Sequence, residues 1–118
     1  MFEVNDMRIT MSRGDTGGIV IREKTGYAFG ENDRAVFSVK NSIGTIVKQS
    51  IHQIHDGLIN VTFQNADTDS LEPGNYTWDV RYIINPVYDE DGDIVDDDQV
   101  ITPMIPQNLQ LLAVVGEI

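Results

Sequence analysis

Residues 71–86 read LEPGNYTWDVRYIINP, and the reading of this stretch decides the fold. A turn signal, Leu71-Glu72-Pro73-Gly74, leads into the longest clean alternation in the chain, with Tyr76, Trp78, Val80, Tyr82 and Ile84 on one side and Asn75, Thr77, Asp79 and Arg81 on the other. Side chains alternate across a strand, so this spelling predicts a strand with three aromatics, the single tryptophan among them, on one surface. Tyr76, Trp78, Val80 and Tyr82 are therefore assigned to the core. Val80 and Ile84 in the same row argue against an open sugar-stacking platform, since burying such side chains stabilises a fold by about 1.5 to 3 kcal/mol each. Pro86 ends the strand, because proline donates nothing to a ladder and restricts the residue before it.

Outward from this strand the same two-residue period recurs. Met7 to Ser12 sets Met7, Ile9 and Met11 against Arg8, Thr10 and Ser12, and Ile19 to Glu23 is rich in β-branched residues. Gly17-Gly18, just before, suits a turn or a bulge with positive φ. Ala35 to Lys40 turns Ala35, Phe37 and Val39 inward, and Thr45 to His52 returns after a hairpin signal at Asn41-Ser42-Ile43-Gly44. A reversal at His55-Asp56-Gly57 feeds Leu58 to Gln64, whose apolar side is Ile59, Val61 and Phe63, so these three segments are expected to form a meander of adjacent antiparallel strands.

Lys24 to Asp33 reads as a packed-down loop with Tyr27 and Phe29 turned in. Asn65 to Ser70 is a crossover with at most one helical turn, N-capped by Asn65 or Asp67. Val87-Tyr88 and Ile94-Val95 flank Asp89 to Asp93 as the arms of a small acidic hairpin, Asp96 to Pro106 is irregular, and Leu109 to Val115 forms a last strand. About seven or eight short strands with no helical period define an all-β class. The expected architecture is an antiparallel immunoglobulin-like β-sandwich, a single domain over residues 1–118 with an acidic hairpin insertion at about 86–98, and a small Greek-key barrel is the alternative.

Charge narrows the partners. With 8 Lys and Arg against 19 Asp and Glu, the chain carries a formal net charge of −11. That argues against nucleic acid and anionic membrane, since phosphate binding needs cations that displace counterions. No Lys or Arg follows Arg81, whereas eight of the 19 acidic residues do, seven of them between Asp89 and Asp98. At 118 residues the chain suffices for one core, and without cysteine that core is expected to hold by packing alone. Met1 to Thr10 carries Glu3 and Asp6 where an export signal has basic residues, and the apolar run Leu111 to Val115 falls far short of the roughly 20 residues of a membrane span. A cytoplasmic product without an anchor is expected.

Leu71-Glu72-Pro73-Gly74-Asn75-Tyr76-Thr77-Trp78 resembles the entry to the sixth strand of immunoglobulin-like and fibronectin-type domains. In that family a tyrosine hydroxyl at this corner bonds back to upstream backbone, a role the resemblance gives to Tyr76. Trp78 stands where antibody domains carry a cysteine, so their disulfide is not implied. Over more of the chain, Arg13-Gly14-Asp15-Thr16, Phe37-Ser38-Val39-Lys40, Asp67-Thr68 and then Leu71 to Val80 are similar, in this order, to small β-sandwich modules of phages and prophages of Gram-positive bacteria, including the N-terminal module of upper baseplate proteins. That resemblance implies a virion structural or adaptor role, other phage particle proteins as partners and frequent homo-oligomer formation. It carries over no catalytic residue.

The sharpest candidate site is the run Asp89-Glu90-Asp91-Gly92-Asp93, where Asp89, Asp91 and Asp93 stand two apart around a glycine. Calcium takes six to eight oxygens and is often held by carboxylates so spaced. The twelfth position from Asp89 is Val100 and the flanks read as strand, so this is not an EF-hand, and the plainer expectation is a solvated hairpin that turns at Asp91-Gly92. His52 and His55 lie three apart, which on a strand sends them to opposite faces and argues against a shared metal ion. Arg13-Gly14-Asp15 is read as a turn. No serine lies in a nucleophile turn and the carboxylates cluster in loops where water keeps them ionised, so no enzyme and no cofactor are expected. The favoured expectation is a non-enzymatic module of a phage or prophage particle, virion-associated and of baseplate, tail or head-fibre type. The alternative is a calcium-assisted carbohydrate-binding or adhesion module, with Tyr27, Phe29 and Tyr88 as the aromatics that meet a sugar.

Overall fold

The computed structural model describes residues 1–114 and is all-β apart from one helical turn. In chain order the elements are β1 (Phe2–Asn5), β2 (Arg8–Ser12), β3 (Gly17–Arg22), β4 (Arg34–Lys40), β5 (Ile46–Gln53), β6 (Leu58–Phe63), α1 (Asn65–Thr68), β7 (Gly74–Ile84), β8 (Val87–Tyr88), β9 (Ile94–Asp96), β10 (Gln99–Ile101) and β11 (Gln107–Leu112). Val115, which the alternation places at the end of the last strand, lies outside the described residues.

The strand at 74–84 is the axis of the larger sheet because its length lets it serve three neighbours. β4 runs antiparallel along Thr77 to Ile83 on one side, while the other side is divided, β11 against Gly74 to Trp78 and β10 against Tyr82 to Ile84. The resulting order is β1-β2-β11-β7-β4-β5, with β10 paired to β7 off this path. β10 lies inside a segment expected to be irregular. Its three residues spell no alternation of their own, and the strand exists because the far half of β7 still offers backbone donors and acceptors.

Two expectations about strand pairing change. The sheet is mixed rather than wholly antiparallel, because β2 and β11 run parallel with Ile9 opposite Leu109 and Met11 opposite Leu111. Parallel neighbours need a long connection, and almost the whole chain lies between these two. The expected meander also breaks: β4 and β5 pair, but β6 leaves them to pair with β3 in a separate two-stranded sheet. The turn after β5 is as expected, with positive φ at Asp56 (51°) and Gly57 (73°) and reciprocal backbone bonds between His55 and Leu58. Beyond it, Ile59, Val61 and Phe63 cover the inner face of the large sheet instead of extending its edge, and the Phe63 ring meets the Phe37 ring edge-on at 5.9 Å. An apolar sheet face has to be buried against a second layer, and this pair of strands supplies it.

At the start of the chain β1 and β2 form a hairpin that the alternation does not show. Met7 belongs to its two-residue turn rather than to the strand, with φ of 50° at Asp6 and 69° at Met7. The glycine pair serves neither a turn nor a bulge. Gly17 is an ordinary strand residue on whose Cα the Phe2 ring rests, so that an added Cβ would fall 2.3 Å from Phe2 Cγ. The crossover does form one helical turn, but its N-cap is Gln64, and Asp67 contributes by accepting the Gln64 backbone N–H at 2.7 Å. Inside the two layers Ile9, Met11, Phe37, Ile59, Phe63, Leu109 and Leu111 are buried.

Candidate functional site

The aromatic row faces inward. Tyr76, Trp78, Val80 and Tyr82 are 8%, 3%, 0% and 2% exposed. The Tyr76 hydroxyl donates to the Glu72 carbonyl at 2.6 Å, back across the Pro73-Gly74 corner, and the Trp78 indole N–H donates to the Met7 carbonyl at 3.0 Å. Both polar tips are thus satisfied while the rings stay in the core. Burial, reinforced by the Glu72 carboxylate, raises the Tyr76 phenol above its ordinary pKa. Burial and then Glu23 push Tyr82 up to about 12. Phe29 stands between Tyr27 and Tyr82, its ring centroid 5.0 Å from the first and 4.9 Å from the second. Of the loop aromatics, Tyr27 and Tyr88 remain open to solvent and Phe29 is tied to the core.

β8 and β9 pair as the arms of the acidic hairpin, and Asp89 organises its tip. Its Oδ1 accepts the backbone N–H groups of Asp91 and Asp93, both at 2.9 Å, while its own N–H donates to the Asp93 carbonyl and its carbonyl accepts from Gly92. Gly92 takes φ of 82°, the left-handed conformation that lets the chain reverse. Asp89, Asp91 and Asp93 each bring one carboxylate oxygen to within 4.8 Å of the others, and all three residues are exposed. The cluster supplies three of the oxygens that calcium takes, and one carboxylate of the three is already engaged by backbone donors.

The hairpin is anchored at its base. Asn85 has φ of 48°, donates its backbone N–H to Asp33 Oδ1 at 3.0 Å and its side-chain amide to Asp98 Oδ2 at 2.8 Å. Asp33 is 5% exposed, and its second oxygen accepts the Gly30 N–H at 2.6 Å. The alternation places Asp33 in a polar loop cluster. Its burial becomes visible only when the ends of β4 and β7 are side by side.

The other sequence candidates separate. His52 Nε2 bonds to Ser50 Oγ and His55 Nε2 to Gln53 Oε1, so the two rings have different partners, and burial, then Lys48, lowers the His52 pKa. Arg13-Gly14-Asp15 is a turn held from outside: Gly14 donates to the buried Thr68 hydroxyl at 2.8 Å and accepts from the Asn65 amide at 2.8 Å. The crossover turn therefore fixes that loop.

Two grooves with apolar lining mark the surface. The outer one, about 390 Å³, lies on the exposed side of β5, β4 and β7, where Val36, Ile46, Ile51 and Ile83 surround Asp79 and Arg81 and the hairpin contributes Asp93 and Ile94. Asp79, assigned by alternation to the wet side, is only 8% exposed there. The inner groove, about 380 Å³, opens between the layers beside β3, with Trp78, Val80 and Tyr82 beneath, Val4, Met7, Val20 and Met104 along the walls, and Arg22 and Lys24 at the rim. It exists because the covering sheet has only β3 and β6, which leaves part of the larger face beneath without a strand above it. Alternation within one strand carries no signal for either groove.

Among the described residues no helix is long and apolar enough to cross a membrane. Compared with protein-family models and with curated proteins, the chain matches none.

Proposed function

We propose that the chain is a non-enzymatic, immunoglobulin-like β-sandwich module of a phage or prophage particle, of baseplate, tail or head-fibre type, that works through protein-protein contacts and as an oligomer. The observation that carries this reading is the gathering of exposed apolar side chains around two grooves. Val4, Met7 and Val20 are 50%, 43% and 63% exposed at the inner groove, and Ile46 and Ile51 are 47% and 41% exposed at the outer one. Apolar surface gathered in this way is what a protein partner covers. The tyrosine corner at Tyr76 and the order of motifs shared with phage modules support the same class. Fractionating particles from the native source and probing them for this chain tests the reading. Presence at stoichiometric level supports it, and exclusion from every particle fraction refutes it.

The converging carboxylates favour one second reading, a calcium-assisted carbohydrate-binding module with Asp89, Asp91 and Asp93 on the ion and Tyr88 beside the sugar. Binding to the folded state alone must raise stability, so a melting temperature unmoved by calcium or by chelator excludes it.

A further inference from the structure

We propose that the acidic hairpin of one copy of this chain docks into the inner groove of a second copy. The inference rests on the reading of the chain as an oligomeric particle module and adds which surfaces meet. The groove is apolar along its walls, and its charged residues are Arg22 and Lys24, with no acidic side chain lining it. In a chain of net charge −11 with only 8 Lys and Arg, a rim with two cations and one neighbouring acid keeps a local excess of positive charge. Glu23, between them in sequence, accepts from the backbone N–H and hydroxyl of the lining residue Thr25 and so offsets one of the two positive charges. The hairpin is the complement: Val87, Tyr88 and Val95 are 53%, 41% and 61% exposed on its arms, and Glu90, Asp91 and Asp93 crowd its tip with no basic residue from Tyr82 onward.

The contact has to join two molecules. Within one copy the hairpin lies on the outer side, where Asp93 and Ile94 line the same groove as Arg81 and Ile83, whereas the acceptor groove opens on the inner side of the same sheet. A hairpin on one side and its acceptor on the other give a head-to-tail interface, which closes into a ring or continues as a filament. Asp89 already holds the tip in shape through its two backbone bonds, so docking loses little conformational freedom at that point.

Sedimentation of the purified full chain at rising concentration and at low and high salt tests this with two charge-reversed variants, Arg22→Glu/Lys24→Glu in the groove and Glu90→Lys/Asp91→Lys in the hairpin. All four positions are exposed, so neither variant threatens the core. The parent is expected to self-associate, and less so at high salt, because exposed charges are screened over a Debye length of about 8 Å at physiological ionic strength. Each variant alone is expected to associate about tenfold or more weakly, since like charges then face each other, and mixing the two is expected to restore assembly because acidic groove meets basic hairpin. Variants that associate like the parent, or a mixture that stays monomeric, overturn the docking mode. A parent that remains monomeric throughout overturns the second copy as occupant. Detection of the chain in purified particles would then show that the module reading stands although the self-docking fails.

Discussion

Replacing Trp78 with alanine removes the side chain against which much of the inner layer is arranged. It is 3% exposed, lies 5.7 Å from the Phe37 ring and donates its only polar hydrogen to the Met7 carbonyl. Truncating a buried tryptophan costs about 3 to 5 kcal/mol, part of it for the void left behind. Here the void opens into the inner groove, so water enters a space that would otherwise stay empty, which points to the lower half of that range. The lost hydrogen bond contributes about 1 kcal/mol of this, and Met7, 43% exposed, regains a partner for its carbonyl from solvent. A loss of about 3 to 4 kcal/mol, against a total stability of about 5 to 15, lowers the urea midpoint by about 1 to 4 M at a slope of about 1 to 3 kcal/mol per M. Far-UV circular dichroism is the signal to use, because the variant removes the only tryptophan. Trp78→Phe keeps a ring against Phe37 and loses the N–H, and is expected about 1 to 2 kcal/mol below the parent. An alanine variant whose midpoint moves by less than about 0.3 M would refute the assignment of this row to the core and return it to the surface as a binding platform.

Gly17→Ala places a methyl group on the Phe2 ring and is expected to destabilise by about 1 to 3 kcal/mol; in a Phe2→Ala background that cost should vanish, and a double-mutant cycle measures the coupling. Tyr82 has its folded pKa raised from 10 to about 12, so above pH 10 the unfolded chain releases a proton that the folded chain keeps. Stability contributed by the neutral phenol is complete below pH 10 and is lost by about 1.4 kcal/mol per unit up to pH 12, a limb of the urea-midpoint profile that Tyr82→Phe should flatten. Asp33→Ala strips the acceptors from the Gly30 and Asn85 N–H groups and is expected to cost about 1 to 3 kcal/mol and to speed proteolysis at the hairpin, whereas Asp33→Asn, which keeps a side-chain oxygen, should lose much less.

Alternation made the strands legible wherever one face is buried and the other is wet. Residues 35–40, 58–63 and 74–84 each declare their inward residues, and the turn at Asp56-Gly57 declares itself through a glycine that accepts positive φ. The acidic hairpin was legible for the same reason, as a glycine among acids between two short arms of β-branched and aromatic residues. The first hairpin was hidden because Asp6-Met7 is an unusual spelling for a two-residue turn, and β10 because a short strand can be recruited by its neighbour without any pattern of its own.

What the sequence by itself determined is the all-β class, the inward row from Tyr76 to Tyr82 and the place where negative charge collects, since each depends on the period or composition of a single segment. Only the tertiary structure decided that β6 covers the sheet instead of joining it, that β2 and β11 run parallel, that Asp33 and Asp79 are buried and that a basic-rimmed groove opens over Trp78. Those facts depend on which strands become neighbours. Strand pairing is a choice among distant partners with similar backbones, made by the need to bury every apolar face at once, and no single stretch of chain encodes it.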